Sequence, residues 1–273
     1  MPDLPKDDRP KNNLRWSDTR LRAGSTLILL PVALLLMWLG GKPWMIACAL
    51  VGLGLAVEWL QLCGLSPRNG RGALLAALFV LLWAPLMLGF ASPPWILFVF
   101  VASVVLILVR PWLGTGFAYA GLSILALIQL RSGEDGFANL LFLLPVVWAS
   151  DIGAYVVGRG LGGPKLAPSI SPGKTWSGSA GGAVTASLVG ATIAGGIAGH
   201  PSQAGLIALV LAVVSQAGDL AESAAKRHFG VKDSGTMIPG HGGLWDRLDG
   251  VMAASFVAVV LAMIAGPGQY LWR

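Results

Sequence analysis

The chain has 273 residues, 55% of them hydrophobic and only 12% charged, with a mean hydropathy of +0.72. Soluble domains carry about 25% charged residues, so this composition excludes an ordinary soluble protein, a disordered chain and, with two cysteines, a disulfide scaffold. The net charge of +6 does not point to nucleic acid, because the cations are spread over short segments between apolar runs, as in a polytopic membrane protein.

A polar stretch, residues 1–22, comes first and is expected to be a cytoplasmic tail rather than a cleaved signal peptide. Nine apolar runs follow, near 24–41, 43–63, 72–90, 94–109, 113–130, 137–158, 177–199, 203–221 and 250–270. Each is close to the length that crosses ~30 Å of hydrocarbon at ~1.5 Å per residue. The expected fold is therefore all-α, with about nine transmembrane helices. Residues 23–136 would form an N-terminal group of spans and 137–273 a C-terminal catalytic region. The seventh run is rich in Gly and Ala, which lets neighbouring helices approach closely. Cys48 and Cys63 lie in apolar runs and read as small buried side chains.

With the N-terminus inside and nine alternating spans, sixteen of the nineteen Lys and Arg fall on the cytoplasmic side. Only Lys42, Arg131 and Arg273 fall outside. Trp38, Trp44, Trp59, Trp95, Trp112 and Trp272 lie near span ends, where the indole prefers the headgroup layer, whereas Trp83 and Trp148 read as packing residues. Two connections stand apart. The segments 159–176 and 221–249 are long and polar, and both are expected on the cytoplasmic side, where they would carry function.

The stretch from 218 to 249 holds five of the thirteen acids: Asp219, Glu222, Asp233, Asp246 and Asp249. They are mixed with Lys226, Arg227, Lys232 and Arg247. If the eighth helix continues, Asp219, Glu222, Ser223 and Lys226 share one face, and Asp246 and Asp249 share another if the ninth begins before residue 246. Carboxylates beside a bilayer are costly unless paired or used. Carboxylates with cations suit a metal and a polyphosphate, because Mg²⁺ bridges one or two carboxylates to phosphate oxygens while Lys and Arg neutralise the rest. Pro239-Gly240-His241-Gly242-Gly243 offers a backbone-rich turn open to an anion, with His241 as a donor. Ser171, Lys174 and Thr175, around a Pro-Gly, offer a second phosphate cradle; with Pro168 in the first glycine's place it is not a P-loop.

These residues resemble the signature of the phosphatidate cytidylyltransferases, the CDP-diacylglycerol synthases. That signature begins S-x-x-K-R, continues K-D after four residues and closes on H-G-G-x-x-D-R-x-D. Here it is met by Ser223, Lys226, Arg227, Lys232, Asp233, His241, Gly242, Gly243, Asp246, Arg247 and Asp249. The Ser-Pro-Gly-Lys-Thr-Trp run from Ser171 and the stretch from Asp151 to Tyr155 with Gly158-Arg159 are also similar to that family. The motifs cover roughly 148–250; the N-terminal spans agree only in kind. The chain departs from the pattern at Ala225, where a larger apolar residue is usual, and at Ser177, where a Glu commonly follows Lys-Thr-Trp; Trp245 is bulky at a variable position.

The resemblance implies transfer of CMP from CTP to phosphatidic acid, giving CDP-diacylglycerol and pyrophosphate with Mg²⁺, a second metal ion being left open. It implies Asp219 and Asp246 as metal ligands, and Asp249, Lys226 and Arg227 as further catalytic groups. Ser171, Lys174, Thr175, Ser223, Lys232, Asp233, His241 and Arg247 are then the expected substrate-binding residues. It further implies a homodimer in a bacterial inner membrane with a cytoplasmic active site. Asp151 is an intramembrane acid, functional by default or paired with Arg159. Glu58 reads as structural or reaching for the interface, and His200 and His228 as bland. Three other readings stand beside this one: a CTP-dependent transferase acting on another lipid phosphate, a transporter, and a non-catalytic lipid-binding scaffold. No internal inverted repeat supports the transporter.

Overall fold

The computed structural model describes residues 27–90, 92–196, 200–237, 242–266 and Trp272. Among them are nine helices: α1 (Leu27–Leu39), α2 (Gly41–Leu62), α3 (Gly70–Met87), α4 (Pro93–Val109), α5 (Pro111–Ser132), α6 (Gly136–Leu161), α7 (Trp176–Gly196), α8 (Pro201–His228) and α9 (Trp245–Ala265). Six of these (α2, α3, α5, α6, α8 and α9) are long and apolar enough to cross a membrane; α1 and α4 are shorter, and α7 is diluted by Gly, Ser and Thr. The protein is an all-α integral membrane protein, with one addition to the expected plan. Between α6 and α7, β1 (Lys165–Ala167) and β2 (Ser171–Thr175) pair antiparallel, Lys165 opposite Thr175 and Ala167 opposite Ser171.

Proline sets several of the starts. Pro93, Pro111 and Pro201 open α4, α5 and α8, where the missing N–H costs nothing and the fixed φ already suits a helix. The end of α1 is closed by a distant side chain: Arg131 of α5 donates from Nε to the Met37 carbonyl (2.6 Å) and from a terminal nitrogen to that of Trp38 (3.1 Å). This satisfies carbonyls that a helix end leaves without partners.

Two apolar cores lie side by side. One joins buried residues of α2, α3 and α5 to Ala225, Trp245 and Met252; the other is built from α6 to α9, with Met37 and the end of α5. In lipid, apolar burial between helices gains little, so close packing of small residues must hold the bundle. The glycines of α7 serve this. A Cβ on Gly182 would lie 2.5 Å from the Ser150 carbonyl oxygen and 2.9 Å from Gln216 Nε2, so α6 and α8 both press against this face. The expected packing role of Trp83 holds, but Trp148 is 43% exposed and faces outward, while Trp59, expected near the interface, is buried with its Nε1 donating to the Trp112 carbonyl (2.8 Å).

Both connections expected to be long are shorter than the sequence suggested. The hairpin absorbs most of 159–176. The other, 221–249, is trimmed from both sides, because α8 runs on to His228 and α9 begins at Trp245. Both conditions for shared faces are therefore met.

Candidate active site

Four elements meet at one end of the bundle: the end of α6, the β hairpin, the last three turns of α8 and the first turn of α9. On α8, Asp219, Glu222, Ser223 and Lys226 share a face, and the Ser223 hydroxyl lies 3.4 Å from Asp219 Oδ1. The Lys226 ammonium sits between two carboxylates, 2.6 Å from Glu222 Oε2 and 2.6 Å from Asp246 Oδ1. The second Asp246 oxygen accepts three hydrogen bonds at 3.0 Å, from the Ser234 amide, the Ser234 hydroxyl and the Gly243 amide. Both oxygens of Asp246 are thus engaged, Oδ1 by one partner and Oδ2 by three.

The hairpin brings Lys174 to the α8 face, where its Nζ lies 2.5 Å from Asp219 Oδ2. Asp249 is within electrostatic reach of Asp151, Asp219 and Glu222, and Asp219 of Asp151 and Glu222. Together with Asp246 that makes five acids around two ammonium groups. Asp249 has one oxygen on the Gly250 amide (2.8 Å). The pairing of Asp151 with Arg159 is not made, since Arg159 donates to Tyr155 Oη at 2.7 Å.

A cavity of about 680 Å³ opens beside this cluster. Asp151, Tyr155, Arg159, Lys174, Thr175 and Asp219 are among its lining residues, a mixture of anionic, cationic and apolar surface. Its size falls in the ordinary range for small-molecule sites.

The other expected residues fall into three groups. Thr175 lines the cavity, but its Oγ1 accepts the Gly178 amide (3.1 Å), so it caps α7. Arg227 is a clamp: Nε donates to the Ile170 carbonyl (3.2 Å) and a terminal nitrogen to that of Val231 (2.9 Å), tying the hairpin turn to the end of α8. Ser171 begins β2 and is not among the cavity residues. Lys232, Asp233 and Arg247 are exposed around the cluster. His241 lies outside the described residues.

Two contributors were not among the expected site residues; one of them, Glu58, has the structural role the sequence suggested. Glu58, on α2, is 1% exposed, and its carboxylate accepts the Leu244 amide (2.7 and 2.8 Å) and the Trp245 amide (3.1 Å), with the Ser234 hydroxyl 3.4 Å away. It caps the start of α9 from another helix, and through Ser234 it touches the group that holds Asp246. A carboxylate at a helix N-terminus meets both free amides and the positive end of the dipole. This contact also explains two glycines: a Cβ on Gly235 or Gly243 would come within 2.8 Å of a Glu58 oxygen, and Gly242 has φ +84. The second contributor is Gln216, which lines the cavity and bonds Ser150 (3.0 Å) and the Ser179 carbonyl (3.1 Å). Its place one turn before Asp219 on the same face was the signal available.

Residues 20–265 match the model of the cytidylyltransferase family, and the chain belongs to that family. It is a membrane-embedded nucleotidyltransferase that uses CTP. Among its relatives, a phosphatidate cytidylyltransferase of Brucella suis biovar 1 (strain 1330) is 39% identical over 265 residues, spanning 91% of this chain and 94% of its own. The phosphatidate cytidylyltransferase of Bacillus subtilis (strain 168) is 44% identical over 152 residues, 54% of this chain and 56% of its own.

Proposed function

We propose that this enzyme is a phosphatidate cytidylyltransferase, transferring CMP from CTP to phosphatidic acid and releasing pyrophosphate. The observation that carries this reading is the five-acid, two-lysine cluster beside a cavity at the end of the bundle. A phosphate oxygen of the lipid attacks the α-phosphorus of CTP; the bond from that phosphorus to the β-phosphate bridging oxygen breaks, and pyrophosphate leaves. The nucleophile is already anionic, so the site needs no strong base. It must hold two anions together and stabilise charge on the leaving group.

Lys174 and Lys226 are placed to do this. Each ammonium lies against a carboxylate and can turn to a phosphate when substrate arrives. Arg227 keeps the hairpin, and so Lys174, against α8. Ser223, Lys232, Asp233, His241 and Arg247 complete the phosphate-binding surround, with Ser171 at the root of β2.

Among the described residues no three of His, Cys, Asp and Glu gather closely enough to cage an ion by themselves. Mg²⁺ does not require such a cage, since it takes one or two carboxylates and fills its shell with phosphate oxygens and water. The donor chemistry fits: ammonium groups occupy, against Asp219 and Asp246, the places a cation would take. Asp219 and Asp246 would hold Mg²⁺, with Asp249 nearby, and the ion would neutralise phosphate charge. Because Lys226 lies against Asp246 Oδ1, ligation through that oxygen would be freed by Lys226 turning to substrate. The same reading takes the enzyme as a homodimer of a bacterial inner membrane, with this site cytoplasmic.

The test is to purify the protein in mild detergent, supply phosphatidic acid and labelled CTP, and extract the lipid. Label should enter the lipid phase with Mg²⁺ and fall at least a hundredfold without it or in Asp219→Asn. Label that enters equally without a divalent cation overturns the proposed ligand roles; none with phosphatidic acid, but label with another lipid phosphate, overturns the substrate.

A further inference from the structure

A second pocket, of about 620 Å³, shares no residue with the first. It lies where the turn after α2, the start of α3, the α4–α5 junction and Phe229 converge, so it opens on the same end of the bundle as the catalytic cluster. Its walls are apolar, with Leu74, Leu75, Leu106 and Trp112 among them, and its only charged lining residues are Arg71 and Arg110. Among the described residues neither guanidinium makes a hydrogen bond or an ion pair, and no carboxylate lines the pocket. Arg71 is in the first turn of α3, and Arg110 is the single residue between α4 and α5.

Two unpaired guanidinium groups above an aliphatic and aromatic wall match one kind of ligand, a phosphate that carries hydrocarbon. Basic pockets between helices at a membrane interface take anionic headgroups, and a guanidinium binds phosphate through two parallel hydrogen bonds. Leu74 and Trp112 are 61% and 42% exposed at this pocket, surface that an acyl chain would cover. We propose that this pocket binds an anionic phospholipid of the surrounding membrane, its phosphate on Arg71 and Arg110 and its first methylenes against Leu74, Leu106 and Trp112. This site is separate from the reaction site. It is joined to it through α8: Phe229 in the pocket wall follows Lys226 and Arg227, His228 stacks on Trp112 at 4.1 Å, and Phe229 meets Trp112 edge-on at 5.4 Å.

The experiment is native mass spectrometry of the intact protein in detergent, titrated with phosphatidylglycerol or with phosphatidylcholine of the same acyl chains. The wild type should retain phosphatidylglycerol at least about tenfold better than phosphatidylcholine, because both carry the phosphate but the choline cation of the second is repelled by the two guanidinium groups. The double substitution Arg71→Gln with Arg110→Gln should abolish that preference, and both side chains are exposed, so the fold does not depend on them. Leu74→Trp, which fills the groove, should weaken retention of both lipids. Lys174→Gln, at the reaction site, should leave retention unchanged, which separates this proposal from the identity of the reaction. Equal retention of the two lipids by the wild type overturns it, as does undiminished preference in the double variant or loss of preference in Lys174→Gln.

Discussion

Lys226 and Lys174 make the same kind of contact in different surroundings, and that difference sets what their loss does. Lys226 is 12% exposed between Glu222 and Asp246, whereas Lys174 and Asp219 are 27% and 34% exposed. Removing one partner of a buried charged set leaves the others uncompensated; the Lys174–Asp219 pair is about a third exposed, although the ammonium itself is buried, so its loss costs less. Lys226→Gln should therefore lower both turnover and the melting temperature in detergent. Lys174→Gln should lose turnover, about a hundredfold, with a smaller fall in melting temperature than Lys226→Gln; thermal unfolding beside an activity assay checks both. The residue types were legible in the sequence because charges stand out against a chain that is 12% charged. Their pairing was not, since Lys174 reaches Asp219 only through a hairpin that a Pro-Gly stretch of polar residues does not announce. Asp151 shows the converse: a partner eight residues away on the same helix was a fair expectation, but Arg159 turns to Tyr155 instead.

At the scale of elements, the start of α9 is held by α2. Glu58 supplies the carboxylate for the free amides of Leu244 and Trp245, and losing such a cap costs about 1–2 kcal/mol. Glu58→Gln keeps the shape and one acceptor, so it should fold and retain part of the activity. Glu58→Ala should lose more than Glu58→Gln in kcat while KM for CTP moves less, because the substitution displaces Ser234 and Asp246 rather than a substrate contact. Steady-state kinetics on the two variants decide this; identical losses, or a change confined to KM, would count against the positioning role. Packing between elements is equally demanding at Gly182, where a Cβ would stand 2.5 Å from the Ser150 carbonyl oxygen. Overpacking a tight interface costs about 1–3 kcal/mol or more, so Gly182→Val should melt lower or fail to accumulate. Helix positions were readable from apolar runs, and the glycines of the seventh run announced close approach. The contact from Glu58 to α9 was unreadable, because 186 residues separate Glu58 from Leu244 and no local pattern connects them.

The whole molecule places its charged cluster, its hairpin and the two pockets described above at one end, and the proposed orientation puts that end in the cytoplasm. Ser169, at the exposed tip of the hairpin, tests that assignment. In Ser169→Cys, an impermeant maleimide should label inverted membrane vesicles and spare right-side-out ones. The native thiols should stay silent, since Cys48 is buried and burial pushes the Cys63 thiol up to about 11, leaving little thiolate at neutral pH. The orientation rests on charge bias, which sequence displays openly, whereas the joining of four elements into one site rests on helix packing, which it does not. The central claim is cytidylyl transfer to a lipid phosphate, and CTP labelled on either the α- or the γ-phosphorus tests it most directly. With phosphatidic acid present, α-label should enter the lipid phase and γ-label should leave as pyrophosphate, in equal amounts. Label from the γ-position in the lipid, or neither label there from folded protein, would contradict it.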